Sequence, residues 1–365
     1  MARVLLVMPE LPQRLGAPYL GQLYLASALK SAGHAVSAID LGARYGEDDL
    51  QTLCAKVDNE RPDVVGVTLF TYNALKAYSI ARALQGKGPL LVAGGPHVTV
   101  RPKEALEHGF DLAIAGEGER SLLRALDAVQ EGAGFEAIEG AHFEGGKGSA
   151  LSPIEDLASL AQPHEAISAF DLSTYWPAES AHHALPGGMM TSRGCPARCT
   201  FCANYVTGRV FRYRPAEEVV DEMVALRIHH GIQTFPFWDD AFTANRRRLH
   251  TLCNAIMARP ELEGVTWTCI TPANMVKPID LDVMARAGCT TINFGIESGD
   301  RKVLKSVKKG QAPEQVYAAV RAAKELGMST VVNFMFGFPN EGVVELNHTM
   351  RLMKKLAPYT DYFNS

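Results

Sequence analysis

The chain has no apolar run near the roughly 18 residues that a membrane-spanning helix needs, so no membrane segment is expected. Its first apolar stretch, Val4-Leu5-Leu6-Val7-Met8, stops at Pro9-Glu10, too short for the core of a secretory leader. Positive charge is not in excess: 36 Lys and Arg face 40 Asp and Glu, a formal net charge of -4. Nucleic-acid binders carry a basic footprint, so no nucleic-acid partner is expected. No G-x-G-x-x-G follows the first apolar run, and no G-x-x-x-x-G-K-[ST] occurs, which removes dinucleotide and nucleoside triphosphate sites. With 47% apolar and 21% charged residues, a disordered or fibrous chain is also excluded. Seven cysteines carry no sign of a disulfide framework, and the expected location is the cytoplasm.

What is present is alternation. The 365 residues suffice for two or three domains. In residues 1–130, strand-length apolar runs alternate with helix-period segments. Strands are expected at Arg3–Met8, Ala35–Ile39, Val64–Leu69, Leu90–Ala93 and Leu112–Ala115. Helices are expected at Tyr19–Ala32, Glu47–Asn59, Ala74–Leu84, Lys103–His108 and Glu119–Val129. Such alternation with short connections predicts a doubly wound parallel sheet of the α/β class. Ligands of these sheets sit beyond the carboxyl ends of the strands. Turn chemistry collects there: Thr68–Asn73 with Thr71, Gly94-Gly95-Pro96-His97, and Gly116-Glu117-Gly118-Glu119. Glycine pairs admit the close approach of a large ligand, although a tight strand exit also calls for Gly94-Gly95. Residues 131–186 read as a connector with a boundary loop or small hairpin at 132–148, and a second strand–helix alternation fills 187–365.

At the head of that second region stands Thr191-Ser192-Arg193-Gly194-Cys195-Pro196-Ala197-Arg198-Cys199-Thr200-Phe201-Cys202. Gly187–Thr191 reads as a short strand, which places the cysteines on the loop at its carboxyl end. Three thiolates at C-x3-C-x2-C are the soft ligands of a cubane iron–sulfur cluster, and they leave one iron open for reactivity. A zinc-binding module is the non-enzymatic alternative, but a closed zinc site needs a fourth Cys or His. The nearest candidates are His182 and His183 in the connector, and Cys253 some fifty residues on. Cys54, Cys253, Cys269 and Cys289 are scattered.

At these residues the chain resembles the radical S-adenosylmethionine (SAM) superfamily, whose signature is C-x3-C-x-aromatic-C, with Phe201 in the aromatic place. The resemblance runs over about 185–365. It implies a [4Fe–4S] cluster on Cys195, Cys199 and Cys202 that binds and reductively cleaves SAM. Phe235–Thr243, with Asp239 and Asp240, resembles the second strand and its loop, where the methionine amino group is met. The bland alternative for Asp239 and Asp240 is capping of a helix near Ala244–Ile256. Ile292–Gly299, with Glu297 and Ser298, resembles the fourth strand, which meets the ribose. Val332–Pro339, with Gly337 and Phe338, resembles the fifth, whose backbone passes the adenine. Arg301, Lys302, Lys305, Lys308 and Lys309 read as a solvated helix face. Tyr175, Trp176, Trp238 and Trp267 are candidate cavity linings, although aromatics ordinarily sit in cores.

Residues 1–130 resemble the Rossmann-like cobalamin-binding domain of one branch of that superfamily. The resemblance implies that Thr68, Thr71, Gly94, Gly95, Pro96, His97, Gly116 and Glu117 surround cobalamin. The D-x-H-x-x-G motif is absent, so cobalt is expected to lack a histidine on its lower face. The second region would be a partial (β/α)6 barrel of TIM type that stops at its sixth strand, Tyr362–Ser365, so that the chain is shortened or lacks a C-terminal cap. The resemblance implies methyl transfer through cobalamin to an unactivated centre of a small molecule or peptide, with flavodoxin or ferredoxin as electron donor. Its alternatives are rearrangement or cyclisation without methyl transfer, and aminocarboxypropyl transfer with the cobalamin domain empty. Replacing Cys195, Cys199 or Cys202 by Ala is expected to abolish SAM cleavage, whereas Ala at Cys253, Cys269 or Cys289 keeps the cluster. Iron and sulfide assays with deoxyadenosine quantitation check both, and full activity in any member of the first set overturns the ligand assignment.

Overall fold

The computed structural model describes residues 1–9, 16–43, 49–175 and 184–365. Trp176, His182 and His183, named above, lie outside the described residues. The chain divides into two compact units, Met1–Ala181 with Tyr205–Thr207, and His182–Asn204 with Gly208–Ser365. Among the described residues no helix is long and apolar enough to cross a membrane.

In the first unit β1 (Arg3–Met8), α1 (Leu20–Ser31), β2 (Ala35–Asp40), α2 (Asp49–Glu60), β3 (Val64–Thr68) and α3 (Ala74–Leu84) come first. They are followed by β4 (Leu90–Gly94), α4 (Pro96–Val100), α5 (Pro102–Glu107), β5 (Leu112–Ile114) and α6 (Gly118–Glu131). A hairpin of β6 (Ala141–Phe143) and β7 (Gly146–Lys147) completes the sheet, ordered β2-β1-β3-β4-β5-β6-β7. The first five strands are parallel. A parallel strand covered on both faces must be apolar throughout, and β1, RVLLVM, is buried at five of its six positions. The hairpin falls within the stretch read above as connector. It instead pairs antiparallel with β5, Leu112 opposite Phe143, and extends the first sheet. Residues 132–148, read above as a boundary loop or small hairpin, thus carry the hairpin, paired within the first sheet.

Strand order reverses at β1, so the ligand crevice of this fold lies at the carboxyl ends of β1 and β3. There Gln22 of α1 donates to the Thr68 hydroxyl at 3.1 Å, and the Asn73 side chain accepts from the Phe70 amide at 2.8 Å. The neighbouring exit of β4 is tight for internal reasons. The Leu69 amide donates to the Gly94 carbonyl at 2.8 Å and the His97 amide to the Leu69 carbonyl at 3.0 Å. Gly95 sits at φ +100°, and a Cβ there would meet the Leu69 carbonyl oxygen at 2.8 Å.

The second unit opens with β8 (Ser192–Arg193) and β9 (Arg212–Tyr213), then α7 (Ala216–His230), β10 (Thr234–Pro236), α8 (Arg246–Met257) and β11 (Thr266–Pro272). It continues through α9 (Pro278–Arg286), β12 (Cys289–Glu297), α10 (Arg301–Ser306), α11 (Pro313–Glu325), β13 (Ser329–Phe334), α12 (Val343–Leu356) and β14 (Tyr362–Asn364). Strands β10 to β14 form a parallel sheet in sequence order, the wall of a partial barrel. The strand expected at Gly187–Thr191 is broken. Gly187 and Gly188 adopt φ +75° and +68°, and isolated bridges join Ala184 to Thr234 and Met189 to Phe237, at β10 and its exit. A Cβ on Gly188 would strike the Trp238 indole at 2.3 Å, so the break makes room for that ring. Along β12, Ile292, Phe294 and Ile296 are buried in the core that also takes Val316, Val320 and Ala323 of α11. The alternate positions Thr291, Asn293 and Gly295 are only half-buried, as strand alternation requires. Trp267 is fully buried against Phe237 and Phe242 and donates to the Ala287 carbonyl at 2.7 Å, so it belongs to the core.

Gly95→Ala should cost about 1–2 kcal/mol from the left-handed backbone alone, with the Leu69 collision added. Gly33→Ala, at φ +83° with nothing within 4 Å, carries only the backbone cost. Thermal unfolding should place the Gly95 variant clearly below the Gly33 variant; equal midpoints would mean the β4 exit relaxes freely.

Candidate active site

The cysteine loop is rooted by two adjacent carboxylates. Asp239 is 1% exposed. It accepts from the Thr191 amide at 2.6 Å, the Thr191 hydroxyl at 2.5 Å and the Ser192 hydroxyl at 2.6 Å, and Arg248 lies 3.6 Å away. Asp240 accepts from the Gly194 amide at 3.0 Å, one residue before Cys195. Neither caps the following helix: Asn245 does, accepting from the Arg248 amide at 3.0 Å. Gly194 sits at φ +85°, and a Cβ there would collide with the Val210 carbonyl oxygen at 2.3 Å. The far end of the loop is held by Asn204, which donates to the Cys195 and Ala197 carbonyls at 3.2 and 3.3 Å.

The loop's middle rests on α10. The Thr200 amide donates to the Val307 carbonyl at 3.0 Å, and Phe201 packs on Val303, Val307 and Phe338. Cys195 and Cys199 are buried and Cys202 is exposed. Burial pushes the Cys195 and Cys199 thiols up, and the Lys309 ammonium pulls both back down. The three sulfurs sense one another's charge, yet among the described residues no three His, Cys, Asp or Glu side chains converge as a metal-ligand group. The donor chemistry fits a cluster: three thiols on one anchored loop are the ligands iron–sulfur sites take.

Lys309 is the residue the sequence reading misplaced. It is not on a solvated helix face. Helix α10 ends at Ser306, Lys308 turns left-handed at φ +55°, and the Lys309 amide donates to the Leu304 carbonyl at 3.0 Å. This is a helix stop usually built with glycine, and it swings Lys309 inward. Its ammonium meets the Glu297 carboxylate at 2.7 Å, both side chains under 10% exposed, and lies 5.8 Å from the centre of the Phe201 ring. Glu297 is itself left-handed at φ +69°, at a register shift in β12, where Gln311 donates to the Gly295 and Ile296 carbonyls at 3.2 and 2.8 Å. A Cβ on Gly295 would lie 2.8 Å from the Glu297 carboxylate and 3.0 Å from the Lys309 nitrogen, so this glycine makes the pair possible. Ser298 turns away toward α12, sharing a hydrogen bond with Thr349 at 3.1 Å and accepting from the Asp300 amide at 3.1 Å. Gly337, at φ +82°, and Phe338 both donate their amides to Glu341, at 2.6 and 3.3 Å.

In the first unit both His97 ring nitrogens are engaged, by the Thr71 hydroxyl and the Tyr78 phenol, each at 3.1 Å, and the ring is buried. Gly116, at φ +81°, donates to the Thr99 hydroxyl at 2.9 Å, and Glu117 accepts from the Ile154 amide at 2.6 Å. Pro96 opens α4. Tyr19, Phe70 and Tyr72 form an aromatic group beside the β3 exit, with Tyr72 59% exposed. Tyr175 is buried elsewhere in this unit, hydrogen-bonded to Asp40, its phenol pushed up by burial. Cys253, Cys269 and Cys289 lie together in the barrel core, where burial pushes Cys253 up to about 12 and Cys269 well above its usual value.

Comparison with known proteins accords with this geometry. Residues 189–353 match the Radical SAM superfamily and residues 16–126 the B12 binding domain. The chain is 30% identical, over 97% of its length and 78% of the relative's, to an uncharacterised methyltransferase of Pyrococcus horikoshii. It is 27% identical to the anaerobic magnesium-protoporphyrin IX monomethyl ester cyclase of Rubrivivax gelatinosus, over 92% of the chain and 61% of the cyclase. The cobalamin-dependent SAM radical enzyme OxsB, solved with aqua-cobalamin and SAM, shares the fold at TM-score 0.83 and 20% identity. That match covers 100% of this chain and 53% of OxsB, so the chain spans only part of these longer proteins.

Lys309→Met should destabilise the second unit by about 3–5 kcal/mol, because the Glu297 carboxylate is left buried without its cation. Adding Glu297→Gln should recover most of that loss in urea unfolding. Additive losses would mean that the two groups act independently.

Proposed function

Because the chain belongs to the cobalamin-binding radical SAM enzymes, with a [4Fe–4S] cluster, SAM and cobalamin as the family's cofactors, we propose that it transfers a methyl group through cobalamin to an unactivated carbon or phosphorus centre of a small molecule or peptide. When bound, the cluster supplies the electron that splits the SAM sulfonium, and cobalamin carries the methyl group. Cys195, Cys199 and Cys202 are the cluster ligands in this reading. Asp239 acts as a positioning residue, since Thr191, Ser192 and Arg248 already engage its oxygens. Asp240 does the same for Gly194. Glu297 is assigned to the ribose hydroxyls, with Lys309 holding its charge until that ligand arrives. Phe201 wedges the loop on α10, and Gly337 and Phe338 shape the adenine side.

In the first unit Thr68, Thr71, Gly94, Gly95, Pro96, His97, Gly116 and Glu117 frame the cobalamin crevice from the exits of β3, β4 and β5. His97 would border the bound cobalamin at the exit of β4, its ring oriented by the Thr71 hydroxyl and the Tyr78 phenol. The compartment we assign is the cytoplasm, where free thiols stay reduced.

One observation carries the proposal: three thiols on a loop rooted by two carboxylates, in a chain whose other unit has the cobalamin-binding fold. The Rubrivivax relative favours a second reading, cyclisation without methyl transfer. Anaerobically reconstituted protein given SAM, reductant, cobalamin and candidate substrates separates the readings. Deoxyadenosine together with S-adenosylhomocysteine is the expected result. Deoxyadenosine alone would favour cyclisation, and methylthioadenosine would show aminocarboxypropyl transfer instead.

A further inference from the structure

His97, buried in the first unit, belongs to a chain of hydrogen bonds whose protons all run one way. Glu104 of α5 accepts from the Tyr78 phenol of α3 at 2.9 Å. A phenol has one proton, and here it goes to Glu104. The Tyr78 oxygen is therefore the acceptor in its 3.1 Å contact with His97 Nε2, and Nε2 carries a hydrogen. A neutral imidazole has a single N–H, so Nδ1 is bare and accepts from the Thr71 hydroxyl at 3.1 Å. The tautomer follows from this count of donors and acceptors.

The middle of the chain is held in place. The His97 amide donates to the Leu69 carbonyl at 3.0 Å, and the buried Tyr78 ring stacks on His108 with centroids 4.0 Å apart. The two ends reach the surface: Glu104 is half-buried and Thr71 is exposed. Thr71 follows Thr68, the last residue of β3, so it stands at the carboxyl ends where the crevice of this sheet opens. A hydroxyl ordinarily rotates to donate or accept as its partner requires. This one has its proton committed inward to His97, and it shows the crevice an oxygen with lone pairs.

We propose that Thr71, fixed as an acceptor by the His97–Tyr78–Glu104 chain, receives a carboxamide N–H from the rim of the bound corrinoid, and so selects the amidated cofactor against forms with a carboxylate at that place. The proposal rests on the cobalamin reading of this unit. A rim carboxamide brings the proton that Thr71 lacks. A carboxylate brings none and meets the Thr71 oxygen lone pair to lone pair. Discrimination of this kind comes from the mismatch imposed on the wrong ligand as much as from the bond made to the right one. Tyr78 and Glu104 are positioning residues, acting through His97 and Thr71.

The test uses the full chain, with hydroxocobalamin and its monocarboxylic acids as probes, each acid having one rim carboxamide hydrolysed. Dissociation constants at neutral pH are read from the corrin absorbance. One of the acids should bind about 10-fold more weakly than hydroxocobalamin, the worth of one hydrogen bond, while the others bind as hydroxocobalamin does. Thr71→Val should weaken hydroxocobalamin and bring that acid level with it, whereas Thr71→Ser should keep the difference. Tyr78→Phe retains the stack on His108 but leaves Nε2 without its acceptor. The imidazole proton is then free to move to Nδ1, Thr71 turns its own proton outward, and the preference for the amide should disappear. A role confined to packing would lower the affinity for every corrinoid in step and leave their ratio unmoved. Equal affinity for hydroxocobalamin and all the acids overturns the proposal and leaves the cofactor reading standing. A preference that survives Thr71→Val overturns it too, since another residue then reads the amide. So does tighter binding of an acid, because Thr71 would then be donating outward. A protein that binds none of these corrinoids removes the cobalamin reading itself, and the proposal with it.

Discussion

The active half of this molecule hangs on one buried carboxylate. Asp239 gathers the Thr191 amide and hydroxyl, the Ser192 hydroxyl and the Arg248 guanidinium around two oxygen atoms. A buried charge is costly unless fully answered, and here the answering donors are the residues just ahead of the cysteine loop. The same interactions that make Asp239 tolerable therefore fix where the loop begins. Asp240 adds Gly194, so two successive carboxylates hold amides three residues apart. Loop ligands on a fixed root arrive pre-aligned, and metal sites depend on such supporting contacts.

A second constraint acts at the other side of the loop. Glu297 and Lys309 are both brought in by left-handed turns, at Glu297 itself and at Lys308, and non-glycine residues adopt that conformation only when their surroundings compensate. The compensation is visible: a register shift in β12, two hydrogen bonds from Gln311 to the shifted carbonyls, and a glycine beneath the ion pair. Strain of this kind collects at functional sites, and here it sits beside the cysteines and not in the sheet's interior.

Much of the architecture was legible because the two large sheets, the β6–β7 hairpin apart, are parallel and covered. RVLLVM, VVGVT and LLVAG are strands by composition alone, since a strand buried on both faces has no polar positions to hide it. The cysteine loop was legible from thiol spacing, which survives any detail of the fold. What stayed hidden depends on left-handed backbone at residues other than glycine. Nothing in Val307-Lys308-Lys309-Gly310 says that the helix stops early, so Lys309 was assigned to the surface. The broken first strand was missed for the converse reason: Gly187-Gly188 reads as the start of a strand until the Trp238 ring is seen to need the space. The roles of Asp239 and Asp240 lay between helix capping and ligand binding on sequence; the geometry gave a third answer, anchoring the backbone 46 to 48 residues earlier.

The three core thiols bear on how such a protein matures. Cys253, Cys269 and Cys289 are sealed among apolar side chains, and burial keeps Cys253 and Cys269 protonated at neutral pH. Iron and oxidants react with thiolates. These three sulfurs are thus kept from incoming iron by the apolar side chains around them, whereas Cys202 on the loop stands exposed.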